Sequence, residues 1–175
     1  MFGRAIPVAR RAAFAGAALS LLSGCGFRPL YGRSSVSGRP DVLEALARVR
    51  VRTIPDRQGQ RLRQILREKL ASNGETSAVE LEVSLAQQIQ ELGVRPDSTT
   101  SRANLIFIAG LALIENGARV YGDSVQAIVS YNILDDQYGT VSSQSDAEDR
   151  ALRQIADEIK SRLGVYFDRR LTAKG

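Results

Sequence analysis

The sequence predicts a fold of the α/β class, of the α+β type, in which a four-stranded sheet carries two helices packed on one face. Three observations predict it. Residues after Val49 and after Val79 alternate between apolar and polar, as in half-buried strands. Two other segments place their apolar residues on one helical stripe, and Asn116-Gly117 separates two apolar runs. The expected order is β-α-β-β-β-α, in one small domain over residues 42–170.

The first strand and the first helix are expected between residues 49 and 74. In residues 49–53 (VRVRT) apolar and basic residues alternate, and the strand ends at Ile54-Pro55. Asp56 is then in position to cap a helix, which Asn73-Gly74 ends. The apolar stripe of that helix consists of Leu62, Ile65, Leu66 and Leu70.

The second and third strands differ in their patterns. Val79 to Leu85 (VELEVSL) alternates, so this strand has one dry face and one wet face. A polar loop is predicted from Gly93 to Asn104 (GVRPDSTTSRAN), and Leu105 to Ile114 (LIFIAGLALI) is then apolar at almost every position. Asn116-Gly117 predicts a tight hairpin next, because both positions of a type I′ turn require a positive φ.

The return strand and the last helix complete the pattern. The strand is expected from Arg119 to Ile133, with Gly122 as a bulge. Ser145-Asp146-Ala147-Glu148 has the form of a capping box and should open a helix. One face of that helix carries Ala151, Leu152, Ile155, Ala156, Ile159 and Leu163.

Two helices on one side of the sheet leave its other face to be explained. Leu105 to Ile114 is apolar on both parities, whereas a half-solvated strand should alternate. One interpretation is a central strand whose second face is shielded by loops or neighbouring side chains. The other is a surface that meets a protein partner or a lipid. Ten residues are too few to cross a membrane as a helix.

The first 24 residues have the pattern of a lipoprotein signal peptide. Arg4, Arg10 and Arg11 precede an apolar run of eleven residues from Ala12 to Leu22, well short of the roughly 20 that a membrane-spanning helix needs. Leu22-Ser23-Gly24-Cys25 resembles the lipobox of bacterial lipoproteins.

That resemblance implies that Cys25 receives a diacylglycerol on its sulfur and that the peptide is cut after Gly24. A thiolate is the nucleophile that this alkylation needs. The alternatives are an ordinary signal peptide or a buried cysteine. Gly26, where a retained inner-membrane lipoprotein would typically carry Asp, favours the outer membrane. Residues 25–41 are then a lipidated, flexible tether, and residues 171–175 a tail.

The composition excludes several classes of function. Cleavage after Gly24 would remove three of the 24 basic residues and none of the 19 acidic ones, which leaves a net charge of +2 instead of +5. The basic balance of the whole chain is therefore no argument for nucleic-acid binding. The chain contains no histidine and one cysteine. A Ser-His-Asp triad, a Cys-His dyad and a histidine-ligated zinc site are excluded, and we expect no metal and no cofactor.

Three segments carry a resemblance to a known family. Leu22 to Gly32 (LSGCGFRPLYG), Ser101 to Leu105 (SRANL) and Ser130 to Leu152 (SYNILDDQYGTVSSQSDAEDRAL) resemble the lipopolysaccharide-assembly lipoprotein family LptE, in its alphaproteobacterial form. The resemblance covers most of the chain after the leader. It implies a lipid-anchored protein on the periplasmic side of the outer membrane, without catalytic residues. It also implies two partners, the β-barrel LptD, whose lumen it plugs and whose folding it assists, and lipopolysaccharide.

Arginines are the candidate contacts to lipopolysaccharide, which presents phosphates and carboxylates beside acyl chains. Arg95 and Arg102 flank the predicted polar loop and are chosen on that ground, with solvated loop arginines as the plainer interpretation. The basic face of the first helix, with Arg61 and Arg67, is the next candidate.

Two other classes of function stay open from the sequence. An auxiliary lipoprotein of a phospholipid transport system of the MCE/ABC type would share the anchor and a similar fold, but would need no barrel. A periplasmic enzyme could use carboxylates, for example Asp135 and Asp136 with Glu115. Those acids stand in turn contexts, however, where aspartate is favoured for its backbone hydrogen bonds.

Overall fold

The computed structural model describes residues 42–72, 78–94 and 100–173. Within these ranges the chain forms seven helices and strands in the order α1, β1, α2, β2, β3, β4, α3. Their bounds are α1 Val42–Ala47, β1 Val49–Val51, α2 Asp56–Lys69, β2 Val79–Val94, β3 Thr100–Glu115, β4 Ala118–Asn132 and α3 Gln137–Ala173.

The strands form one mixed sheet in the order β1-β2-β3-β4. β1 pairs with β2 in parallel, and the two hairpins β2-β3 and β3-β4 are antiparallel. α2 packs against β1 and α3, while α3 lies along β4 and β3. The predicted class and the order β-α-β-β-β-α are confirmed, with the short helix α1 as an addition before β1 that the sequence did not predict.

The core lies between the sheet and the two long helices. Phe107 at the centre of β3 is fully buried, and so are Leu62 of α2 and Ile155 of α3. Burying a side chain of this size contributes about 1.5–3 kcal/mol. The other large side chains that are fully buried are Leu46, Ile54, Leu66, Leu81, Leu105, Leu113, Leu152, Ile159 and Leu163.

The hairpin β2-β3 is longer than predicted. β2 continues to Val94, and β3 begins at Thr100, opposite it. The loop predicted over residues 93–104 is therefore wrong at both ends, since Gly93 and Val94 belong to β2 and Thr100 to Asn104 belong to β3. Residues 95–99 lie outside the described ranges. Polar residues such as Gln88 and Gln90 have weak strand propensity, but the ladder to β3 supplies their backbone partners.

The turn after β3 has the conformation that its sequence predicts. Asn116 has φ 52° and Gly117 has φ 81°, the two positive values of a type I′ hairpin. β4 contains a bulge, but the predicted position at Gly122 is wrong. The register shifts between Leu113, which faces Tyr121, and Ile114, which faces Arg119, so Val120 is the extra residue. The glycine at 122 pairs regularly with its neighbour strand and instead leaves room for Arg119, since a Cβ there would lie 2.1 Å from Nη2 of that arginine.

The starts of both long helices differ from the predicted caps. In α2 the residue before the helix is Pro55, and no side chain caps the first turn. Asp56 is the first residue of the helix and has a left-handed φ of 65°. The predicted Asp56 cap is therefore wrong. The helix ends at Lys69 with Leu70 as its cap residue, and the predicted end at Asn73-Gly74 lies outside the described ranges.

α3 begins at Gln137, eight residues before the predicted capping box. The carboxylate of Asp136 accepts hydrogen bonds from the backbone N–H groups of Gly139 at 2.8 Å and Tyr138 at 3.3 Å. Asp136 is thus the N-cap. Ser145 and Glu148 lie inside the helix, where the preceding turn already satisfies the backbone N–H groups that a capping box would serve.

Candidate functional site

The sheet has one face covered by helices and one that we call the open face. Odd-numbered residues of β3, such as Leu105 and Leu111, are buried beneath the helices. The register places even-numbered residues of β2, β3 and β4 together on the opposite side. These residues are exposed or half-buried, and they include Ser84, Ala86, Gln88, Gln90, Asn104, Ile106, Ile108, Gly110, Ala112, Gly122, Ser124, Gln126, Ile128 and Ser130.

Three isoleucines form an apolar patch in the middle of the open face, here named the isoleucine patch. Ile106 of β3 faces Ile128 of β4, and Ile108 stands two residues further along β3. Ile128 is 54% exposed and Ile108 is 38% exposed. This patch explains the double apolar parity of β3, whose odd residues enter the core while its even residues remain accessible to a partner.

Uncharged polar side chains surround the isoleucine patch. Gln88 faces Ile106 from β2, and Gln126 faces Ile108 from β4. On the far side the Ser130 hydroxyl lies 2.7 Å from Oδ1 of Asn104. Amides and hydroxyls of this kind can form hydrogen bonds across an interface without the desolvation cost of a buried charge.

Small residues border the isoleucine patch on its other side. Gly110 stands between Ser84 and Ser124 in the register, and a Cβ added to it would lie 2.8 Å from Oγ of Ser84. A cavity of about 570 Å³ opens here, lined by Thr53 to Asp56, Glu82 to Leu85, Gly110 to Ala112, Arg119 and Asp123.

Charged side chains stand at both ends of the open face. At the end near α1, Arg50 pairs with Glu80, and Arg52 lies 3.2 Å from Glu82. At the opposite end Arg102 of β3 is exposed between Leu92 and Asn132. Along the open face, ion pairs at one end are followed by small and apolar residues, and Arg102 lies at the other end.

The candidate site residues predicted from the sequence are only partly within the described ranges. Arg102 lies on β3 and not in a loop, because the hairpin continues past it. Cys25 and Arg95 fall outside the described residues. Of the second candidate pair on α2, Arg61 forms an ion pair of 2.5 Å with Asp149 of α3, whereas Arg67 is exposed.

The three carboxylates considered for an enzyme do not come together. Glu115 ends β3 and binds Arg170 at 2.8 Å. Asp136 caps α3 beyond the other end of β4. The 15 residues of β4 lie between them, about 50 Å at the usual rise per residue. Among residues 42–72, 78–94 and 100–173, no three acidic or cysteine side chains are grouped as metal ligands.

A polar cluster at the helix side holds α3 against β4. Oδ2 of Asp123 accepts a hydrogen bond from the Tyr121 hydroxyl at 2.9 Å and lies 3.4 Å from Nη1 of Arg162. The backbone N–H of Ser124 and the Tyr121 hydroxyl lower the pKa of Asp123 below its ordinary value. Burial, followed by the bond to Asp123, raises the pKa of Tyr121. These groups are structural, since they join the helix to the edge strand.

None of the helices in the described part of the chain is both long enough and apolar enough to cross a membrane.

Comparison with known families identifies the relationship. The model of the LptE family, described as lipopolysaccharide-assembly, matches residues 46–163, which run from the end of α1 far into α3. The chain belongs to the LptE family. The match covers all four strands and α2, so LptE membership rests on the whole sheet with its helices. Lipopolysaccharide assembly is accordingly the process in which this chain takes part.

Solved structures share the LptE fold. A putative lipoprotein from Caulobacter crescentus CB15 is 27% identical, with a TM-score of 0.60 over 74% of this chain and 96% of that one. A minor lipoprotein from Acinetobacter baumannii is 16% identical, with a TM-score of 0.56 over 69% and 92%. Lipoprotein B from Nitrosomonas europaea is 15% identical, with a TM-score of 0.52 over 82% and 93%. Comparison with curated proteins gives no match.

Sequence reasoning missed the isoleucine patch as a surface, although its signal was present. The double parity of β3 was noticed, but Ile128 on the return strand was not placed beside it. Counting forwards along β4 from Asn116-Gly117, with one bulged residue, brings Ile128 opposite Ile106. A bulge at Gly122 gives the same pairing from Asp123 onward, so the patch was missed because the register was not counted out to Ile128, and not because of the bulge position.

Proposed function

We propose that the protein is a non-enzymatic outer-membrane lipoprotein that plugs the LptD β-barrel, assists its assembly and helps to deliver lipopolysaccharide to the outer leaflet. The observation that carries this proposal is the LptE family match over residues 46–163. The 27% likeness to a Caulobacter lipoprotein supports the lipoprotein assignment. The Leu22-Ser23-Gly24-Cys25 sequence supports an acyl anchor on Cys25 after removal of residues 1–24.

The open face suits contact with a polar, water-filled barrel lumen. Most of its residues are uncharged hydrogen-bonding groups or small side chains, with Ile106, Ile108 and Ile128 as the apolar part. A barrel lumen is lined by polar side chains, so the glutamines and serines of this face would bond there. The isoleucine patch would exclude water from the centre of the contact.

Lipopolysaccharide contact is proposed at the end of the open face that carries Arg102. A guanidinium there can donate two hydrogen bonds to one phosphate. Leu92, half-buried and paired with Arg102 across the hairpin, would offer apolar surface for an acyl chain. Arg95 belongs to the same proposal from its position beyond Val94 in the sequence.

The test is purification of the full-length protein with a C-terminal tag from detergent-solubilised envelopes of the native host. We expect a large barrel protein whose gel mobility shifts on heating to co-purify in equal amount. Recovery of an inner-membrane transporter instead would support the phospholipid-transport alternative and reject the barrel proposal. Ile128→Ser should lower the recovery of the barrel, while Val165→Ser, an exposed valine on α3 (38% exposed), serves as the matched control.

A further inference from the structure

The start of α3 lies outside the closed core. Every residue from 137 to 146 is exposed or half-buried, and the buried positions of the helix begin at Ala147. The apolar side chains of this stretch are in water, since Tyr138 is 83% exposed and Val141 is 59% exposed. Most helical stability in proteins comes from packing of an apolar face. Residues 137–144, here named the leading segment, are helical without that support.

The composition of the leading segment is also unfavourable for a helix. Its sequence is QYGTVSSQ, in which Gly139 to Ser143 form an unbroken run of weak helix formers. Glycine loses the most backbone freedom in a helix, threonine and valine lose side-chain freedom, and serine competes for backbone hydrogen bonds. Residues 147–163 are instead rich in alanine, leucine, glutamate and arginine, which favour a helix.

A local set of hydrogen bonds holds the leading segment in its helical form. Besides the two bonds to the Asp136 carboxylate, the Thr140 hydroxyl accepts a bond from the backbone N–H of Leu134 at 2.8 Å and donates one to its carbonyl at 3.0 Å. Leu134 lies over Gly139, where a Cβ would be 2.8 Å from Cδ1 of that leucine. These contacts join residues 134–140 only to one another, so a local opening breaks them and leaves the core intact.

A second helix start is present in the sequence at Ser145. Ser145-Asp146-Ala147-Glu148 has the form of a capping box, whose serine and glutamate side chains can serve the first backbone N–H groups of a helix. Asp146 and Glu148 would then lie in the first turn, where carboxylates stabilise the positive end of the helix dipole. The first turn at Gln137 contains no acidic residue. The ion pair of Asp146 with Arg150, at 3.0 Å, is compatible with either start.

We propose that α3 has two starts in the folded protein, a long form capped by Asp136 and a short form capped by Ser145. In the short form the leading segment is unwound, and the helix from Ala147 onward keeps its place in the core. Residues 137 and 147 are about 15 Å apart along the helix, and residues 133–144 can reach roughly 40 Å when extended. The long form is the major state and the short form the minor one. This inference needs only the fold and stands apart from the proposed function.

Native-state hydrogen exchange of the purified full-length chain in detergent tests the two starts. Mass spectrometry follows peptides from the leading segment and from residues 148–160. In the wild type the leading segment should exchange roughly ten-fold faster or more, because local opening is sufficient. Asp136→Ala removes the cap of the long form and should speed exchange of the leading segment about five-fold, while residues 148–160 stay unchanged.

Ser145→Ala separates two helix starts from simple fraying of one helix end. It removes the cap of the short form and should slow exchange of the leading segment about five-fold. Ser142→Ala is the same substitution at an exposed position outside the capping box, and should slow it only about two-fold through helix propensity. Equal slowing by both variants would overturn the proposal. So would a leading segment as protected as residues 148–160, or an Asp136→Ala effect that spreads equally over those residues.

Discussion

The two faces of the sheet are built from the same three long strands, yet they have opposite chemistry. Phe107 on β3 is fully buried under the helices, while its neighbour Ile108 is 38% exposed on the open face. Both residues are large and apolar. Adjacent residues of a strand point to opposite faces, so similar side chains contribute to the core in one case and to a surface in the other.

The comparison teaches that hydrophobicity alone does not identify the core of this protein. On the covered face, apolar residues meet the stripes of α2 and α3. On the open face, the isoleucine patch meets glutamines, asparagine and serines. The first arrangement stabilises the fold, and the second leaves apolar area for a partner to bury.

Truncating the neighbouring residues Phe107 and Ile108 should show the largest difference in stability between the two faces. Phe107→Ala is expected to lower the free energy of unfolding by about 3–5 kcal/mol, because it leaves a cavity in a closed core. Ile108→Ala should cost about 1 kcal/mol or less, since part of that side chain is already in water. Urea unfolding of both variants measures the two values, and equal losses would show that the open face is covered in the free protein.

Removing Asp136, the N-cap of α3, should have a smaller effect on stability. Asp136→Ala removes the acceptor for two backbone N–H groups of α3 and should cost about 1 kcal/mol. Ser145→Ala, at the start of the apparent capping box, is the control and should leave the melting temperature unchanged. If Ser145→Ala were the more damaging of the two, the helix would begin at Ser145 in solution.

The bond between α3 and β4 makes the attachment of that helix sensitive to pH. Asp123→Asn should cost about 1 kcal/mol at neutral pH, because it removes a charged acceptor from Tyr121 and Arg162. The pKa of Asp123 is lowered in the folded chain, so its contribution is present above the unfolded value. This stabilising contribution of Asp123 is lost as the pH falls through the lower pKa that the carboxyl has in the folded chain. The melting temperatures of variant and wild type should therefore converge below about pH 4, whereas a constant difference down to pH 2 would contradict this assignment.

The smallest expected effect on stability is at the arginine that ends the open face. Arg102→Glu should leave the melting temperature unchanged, because the side chain is exposed. Its effect should appear in binding, where attraction to phosphate becomes repulsion, and charge-assisted bonds contribute about 1.5–3 kcal/mol. Binding of purified lipopolysaccharide measures the change, and Arg153→Glu on the exposed side of α3 is the control. Unaltered binding by folded Arg102→Glu would remove this residue from the proposed contact.

Local patterns in the sequence determined the number, type and order of the main elements. The apolar stripes identified both long helices, because residues at helical spacing share one face wherever the helix is placed. Asn116-Gly117 determined the hairpin, because its two positive φ angles suit few other residues. The proposed lipidation of Cys25 likewise rests on the residues that precede it in the sequence and uses no tertiary information.

Only the tertiary structure decided the extents of the strands, the start of α3 and the surface available to a partner. Gln88 and Gln90 are in a strand because β3 pairs with them, and Arg102 leaves the expected loop for the same reason. The capping box at Ser145 is a valid local signal, but the helix begins nine residues earlier, where the carboxylate of Asp136 accepts hydrogen bonds from its first turn. Backbone pairing and packing act between residues far apart in the chain, so a local pattern cannot report them.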